Sequence, residues 1–150
     1  LLIVGAGDVV SKLKQMRIEE GIEDRVLFFD KMPYQKLMQY TYHADLGLAL
    51  DKPVCLNYKL ALPNKVFDYL HAGTPILCTK LDEIEKLVLR YNIGFVIEEL
   101  TINALSEKIN TILSKPEKLE EMKENCKHAA VTENWEKELL SLNNIYKSDG

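Results

Sequence analysis

With 150 residues, 47% hydrophobic and 28% charged, the chain has the composition of one globular domain, and disordered or fibrous classes are excluded. A net charge of −4 argues against sequence-independent nucleic-acid binding, which requires a basic face. Cys55, Cys78 and Cys126 are odd in number and far apart, which argues against a disulfide framework or a zinc site and fits a reducing cytosol.

In chain order, apolar runs of strand length alternate with stretches of helical period. Leu1–Gly5 reads as a buried strand ending in Gly-Ala-Gly, and it has neither the basic leader nor the apolar length of a signal peptide. Val9, Leu13, Met16 and Ile18 recur at helical spacing, and Gly21 can stop that helix with a positive φ. Arg25–Phe29 is a second strand. Tyr34–Ala44 is helical, with Leu37, Tyr40 or Thr41, and Ala44 inward, and Asp45–Leu50 is a third strand.

A loop carrying Pro53 and Asn57 leads to a short helix, Lys65–Ala72, closed by Gly73. Pro75–Thr79 is the fourth strand. Asp82 followed by Glu85 suggests a capping-box start to a helix whose inner stripe is Ile84, Leu87, Val88 and Tyr91. Gly94–Ile97 is the fifth strand. The tail is helical: Leu105, Ile109, Ile112 and Leu113 mark one helix. Leu119, Met122 and Cys126 mark a second after Pro116, and Trp135, Leu139, Leu142 and Tyr146 a third. No apolar run approaches the roughly 20 residues that span a bilayer.

Five strands alternating with helices imply a Rossmann-like α/β domain, a parallel sheet in three layers with helices on both faces. Ligands bind such sheets at the carboxyl ends of the strands, which nominates the loops Gly5–Val9, Asp30–Tyr34, Asp51–Lys65 and Thr79–Asp82.

Gly5-Ala6-Gly7 follows a strand and opens a helix, so Gly5 is a candidate phosphate contact. Position 10, where a G-x-G-x-x-G fingerprint needs its third glycine, is Val10, so the pattern favours a plain tight turn over a phosphate cradle. Pro63 and Asn64 open the short helix, whose free N–H groups attract anions. Lys65 in the first turn opposes the helix dipole, at roughly 0.3–1 kcal/mol, which makes sense if a phosphate lies between them. Asp68, one turn deeper, could accept from a ribose hydroxyl pair. The other reading is an i,i+3 solvated Lys65–Asp68 pair, and spacing alone leaves both open. No cluster of Asp, Glu or His suggests a metal. His43, His71 and His128 read as surface histidines, and Trp135 as a core anchor.

The run from Leu62 to Ile76, Leu-Pro-Asn-Lys-Val-Phe-Asp-Tyr-Leu-His-Ala-Gly-Thr-Pro-Ile, resembles the P-N-K-x-F-E-Y-x-x-x-G-x-P segment of GT-B fold glycosyltransferases, chiefly the family 4 group. Arg25–Leu37 with Ala44–Leu50 resembles a second block of that family, and Thr132-Glu-Asn-Trp135-Glu136 a third. The resemblance implies the donor-binding C-terminal half of a cytoplasmic enzyme of polysaccharide biosynthesis. Such an enzyme transfers a sugar from a UDP- or GDP-sugar, with retention and without a metal or other cofactor. It implies that Pro63, Asn64 and Lys65 lie near the diphosphate, that Asp68 takes the place of the ribose-binding Glu, one methylene shorter, and that Lys31 and Met32 meet the base through backbone groups. Leu60 stands where the family has a second Glu, and Asp30 where it has a Gly. The catalytic residues are left unknown.

The acceptor and any general base would lie on an N-terminal domain not contained in the chain, as would any peripheral membrane contact, which the sequence leaves open. The chain alone would be inactive. The family's half also begins with one more strand and helix, and that strand is central in the sheet order. Removing it leaves a flavodoxin-like order in which Leu1–Val4 is expected to pair directly with Leu46–Leu50 if the isolated chain closes its sheet; in a piece of a longer chain, residues outside it would fill the gap. Two rival readings are a sugar-nucleotide 2-epimerase, whose His and Glu/Arg signatures are not found, and a non-catalytic or receiver-like module. Asp51 would suit a receiver, but no acidic pair follows the first strand.

Overall fold

The computed structural model describes residues 1–52 and 62–133. The expectations for Pro53, Cys55, Asn57, Leu60 and the last helix with Trp135, Leu139, Leu142 and Tyr146 lie outside them. The elements run β1 (Leu2–Val4), α1 (Val10–Glu19), β2 (Leu27–Phe29), α2 (Tyr34–Tyr42), β3 (Gly47–Ala49) and α3 (Asn64–Ala72). Then follow β4 (Ile76–Thr79), α4 (Asp82–Tyr91), β5 (Gly94–Ile97), α5 (Ile102–Leu113) and α6 (Pro116–Thr132). The chain divides into two compact units, Leu1–Tyr40 and Thr41–Gly150.

In the first unit β1 pairs parallel with β2, Leu2 opposite Leu27 and Val4 opposite Phe29, with α1 as the crossover. Gly21 ends the run as expected. It adopts φ 62°, and its N–H donates to Ile18 O at 3.0 Å. Arg17 ties helix to strand, donating from Nη1 to Val26 O at 3.0 Å and lying over the Phe28 ring at 5.6 Å. The helical stripe read from the sequence is not a core stripe. Val9, Leu13, Met16 and Ile18 are all exposed, and no residue of α1 is buried. Two strands of three residues each offer too little apolar surface to cover them.

The second unit contains the core. Its sheet has the order β3-β4-β5, all parallel, with Gly47 opposite Ile76 and Ile76 opposite Gly94. All four residues of the central strand β4 are buried, as a parallel strand covered on both faces requires. One face packs Ala49, Ile76 and Cys78 against Val66 and Leu70 of α3, Ile84 and Val88 of α4, and Cys126 and Ala129 of α6. The other packs Leu77 and Ile97 against Ile112 of α5 and Leu119 of α6. The stripes read for α4 and α6 are therefore core stripes.

Two expectations need correction. Among the described residues the ladders are β1 with β2 and β3 with β4 and β5, and they do not include the expected pairing of Leu1–Val4 with Leu46–Leu50. Each βαβ crossover closes on its own. The capping box at Asp82 and Glu85 is also absent. Leu81 is the N-cap, with no side-chain cap bond, and the Glu85 N–H makes an ordinary helical bond to Leu81 O. Asp82, Glu83 and Glu85 instead place three acidic residues in the first turn, where they complement the helix dipole.

Gly94 is required by close approach: a Cβ there would meet Ile76 O at 2.0 Å. Gly94→Ala is expected to cost about 3 kcal/mol in urea unfolding, because backbone on both sides must move; a change below about 0.5 kcal/mol would contradict this packing.

Burial pushes the Cys78 and Cys126 thiols up from 9.0 to about 12, with the Glu85 charge adding to the effect at Cys78. The unfolded thiols therefore ionise first as pH rises. The stability these groups contribute is complete below pH 9 and declines toward pH 12. At pH 8 both should resist iodoacetamide in the folded protein and react in urea, as peptide mass spectrometry would show. Labelling without denaturant would contradict their burial.

Candidate functional site

The carboxyl end of β3 and the start of α3 are brought together by the packing of α3 along β3. Gly47 makes this possible, since a Cβ on it would lie 2.5 Å from Cγ of Tyr69. The Tyr69 ring occupies that space, and its hydroxyl donates to Leu48 O at 3.3 Å. Burial raises the Tyr69 phenol above its ordinary value. The bond to Leu48 lowers it in part, and the Asp68 and Asp51 charges add to the rise.

Four residues before Tyr69 on the helix is Lys65, and four after Gly47, two past the end of β3, is Asp51. Four residues advance about 6 Å along a helix and about 13 Å along a strand. The lysine side chain makes up the difference. Its ammonium lies 2.9 Å from Asp51 Oδ1 and 2.8 Å from Oδ2. Only the Oδ1 contact has hydrogen-bond alignment; Oδ2 is buried without a directed partner, although it is within ion-pair distance. The Asp51 side chain is 20% exposed and that of Lys65 40%. Thr79, at the end of β4, holds the same loop by donating from Oγ1 to Asp51 O at 2.6 Å.

Pro63 is the N-cap of α3, at φ −64° and ψ 143°, and Asn64 is its first residue. No side chain caps this end, and no acidic residue lies in its first turn. No residue of the helix itself offsets its positive pole there; Lys65 adds to it, and Asp51, beyond the end of β3, stands against the Lys65 charge. Asp68 lies half-buried one turn deeper. The carboxyl ends of β3 and β4, the tip of α3 and the Asp51–Lys65 pair form one polar cluster above a mainly apolar core in which Thr74 and Thr79 are also buried. Neither alternative weighed for Lys65 from spacing alone, a phosphate contact or a partner in Asp68, included the Asp51 pair. Asp51 and Thr79 were missed as site residues. Their one signal was position, at the ends of strands in loops already nominated.

The remaining candidates lie in the first unit. Gly5 adopts φ 134°, a conformation that favours glycine, and its N–H donates to Phe29 O at 3.0 Å, so this amide already extends the β1–β2 ladder. Lys31 is exposed and Met32 half-buried in the loop after β2. Outside the cluster, the ring Nε2 of His71 lies 3.0 Å from Glu133 O, and His43 stacks edge-on to Tyr42. A shallow groove of about 310 Å³ beside Val96, Glu98, Lys108 and Thr111 lies along β5 and α5, and its lining includes neither Asp51 nor Lys65. Among the described residues no helix is long and apolar enough to cross a membrane, and no three His, Cys, Asp or Glu side chains are grouped to hold a metal.

The family model described as glycosyl transferases group 1 matches residues 1–129. No curated protein matches the chain. Among solved structures, the chain is similar to WaaG, a glycosyltransferase involved in lipopolysaccharide biosynthesis, with 24% identity and TM-score 0.73 over 89% of this chain and 34% of that one. It is similar to sucrose-phosphate synthase from Thermosynechococcus elongatus, with 20% identity and TM-score 0.76 over 99% and 38%. It is also similar to HepE of Anabaena in complex with UDP, with 21% identity and TM-score 0.67 over 87% and 35%. The chain thus spans little more than a third of the length of these structures, and at these identities the likeness is one of fold.

Replacing Gly47 with Ala should cost about 1–3 kcal/mol, because the ring of Tyr69 must leave its seat. In a Tyr69→Ala background the same change should cost far less, a coupling that a double-mutant cycle in urea reads directly. Equal costs in both backgrounds would show that the ring does not depend on residue 47.

Proposed function

Because the chain belongs to the family of glycosyl transferases group 1, we propose that its second unit binds the nucleoside diphosphate of a UDP- or GDP-sugar at the start of α3. The observation that carries this reading is the uncapped α3 terminus with Lys65 in its first turn, set at the carboxyl ends of two parallel strands. Helix N-termini in that position are ready-made anion sites. The half-buried Asp68 lies one turn further in, where a carboxylate can accept from both hydroxyls of a ribose.

Sugar transfer leaves negative charge on the diphosphate as the glycosidic bond breaks. The α3 amides are fixed before that charge develops and stabilise the leaving group without reorganisation, and the Lys65 ammonium adds positive charge once the bound diphosphate has recruited it. In this reading no metal is needed for that step, the transfer retains configuration, and the acceptor and any base are supplied by another part of a larger enzyme. HepE has been solved with UDP and with UDP-glucose, which supports a uridine donor as the first to test.

In the complete enzyme, Lys65→Ala should raise the donor Michaelis constant or lower turnover by about tenfold or more, about the range expected for a charge-assisted contact to phosphate. Unchanged donor kinetics would remove Lys65 from the site. Asp68→Asn should weaken the nucleoside diphosphate but leave inorganic pyrophosphate unaffected, and equal loss of both ligands would rule out a ribose contact.

A further inference from the structure

We propose that Asp51 acts as an internal counter-anion for Lys65, which a nucleoside diphosphate must draw away from it, so that Asp51 sets how much negative charge a ligand has to bring. The inference rests on the donor-site reading above and deepens it.

Among the described residues, Lys65 is the cation that faces Asp51, at 2.9 and 2.8 Å from its two oxygens. The two partners are not equally free to move. The Asp51 main chain is tied to buried Thr79 through the 2.6 Å bond to its carbonyl, and its side chain is only 20% exposed. Lys65 reaches it on a flexible four-carbon stem and is 40% exposed. A ligand that recruits Lys65 therefore moves the lysine and leaves the carboxylate in place.

That movement has a cost. Asp51 Oδ2 is buried without a directed hydrogen bond, so loss of the ammonium leaves a poorly solvated carboxylate. The same carboxylate also repels the incoming anion. A ligand carrying a single phosphate offers Lys65 little more than Asp51 already does. A diphosphate offers more charge and a second group for the α3 amides, which compensates for the lost pair. Asp51 is thus a positioning and specificity residue, and it touches no reacting atom.

The test is calorimetry on the whole chain with UDP and GDP, using the wild type, Asp51→Asn, Lys65→Ala and the double variant. Asp51→Asn should bind the nucleotide about fivefold more tightly, the size of one partly exposed ion pair. The gain should vanish when Lys65 is already Ala. Asp51→Ser, which keeps the carbonyl that Thr79 binds, should change affinity in the same direction and guards against a folding defect in the first variant. Unchanged or weaker binding by both Asp51 variants would overturn the proposal. An equal gain in the Lys65→Ala background would do the same, since it would reflect general charge removal. If the wild type binds neither nucleotide, the donor-site reading falls and this inference with it; if it binds and the Asp51 variants do not differ, this inference falls alone.

Discussion

The ring of Tyr69 occupies the space that a side chain at residue 47 would need, and this contact fixes where α3 lies on the sheet. Glycine at 47 lets the helix approach, and the phenol's bond to Leu48 O sets its position along the strand. Once Tyr69 is seated at the amino end of β3, the other end of α3 must meet the carboxyl end of the same strand. The Lys65–Asp51 pair follows from that geometry. A longer side chain at 47 would lift the helix, and the polar cluster would lose its alignment even if every residue in it were kept.

The two units differ in how much they bury, and that difference bears on function. In the second unit a fully buried central strand, with helices packed on both of its faces, supports loops that must hold charge in fixed places. Preorganised electrostatics need such rigidity, because a site that reorganises as charge develops gives back much of its stabilisation. The first unit buries no residue of its helix and presents Val9, Leu13 and Met16 to solvent.

Some of this was legible in the sequence. Gly94–Ile97 could be read because its apolar run is bounded by Asn92 and by Glu98 and Glu99, and the α6 stripe because Leu119, Met122 and Cys126 keep helical spacing over two turns. Pro63-Asn64-Lys65 could be read as a helix start because proline and a polar residue there have a local physical meaning. Other features were hidden because they depend on residues distant in sequence. Lys65 and Asp51 are 14 residues apart, and Tyr69 and Leu48 are 21. The periodicity of α1 was real, but it marked a face without a core to enter. Deleting a strand from a topological order does not by itself determine which edges bond.

The central claim is that nucleotide diphosphate oxygens sit at the start of α3, with the nucleoside one turn deeper. Amide chemical-shift mapping of the isotope-labelled chain during a UDP titration tests it most directly. The largest shifts are expected at Asn64, Lys65, Val66 and Asp68, with a smaller response at Asp51. Saturable shifts confined to Glu98–Thr111, or none at the start of α3 at saturating nucleotide, would contradict it.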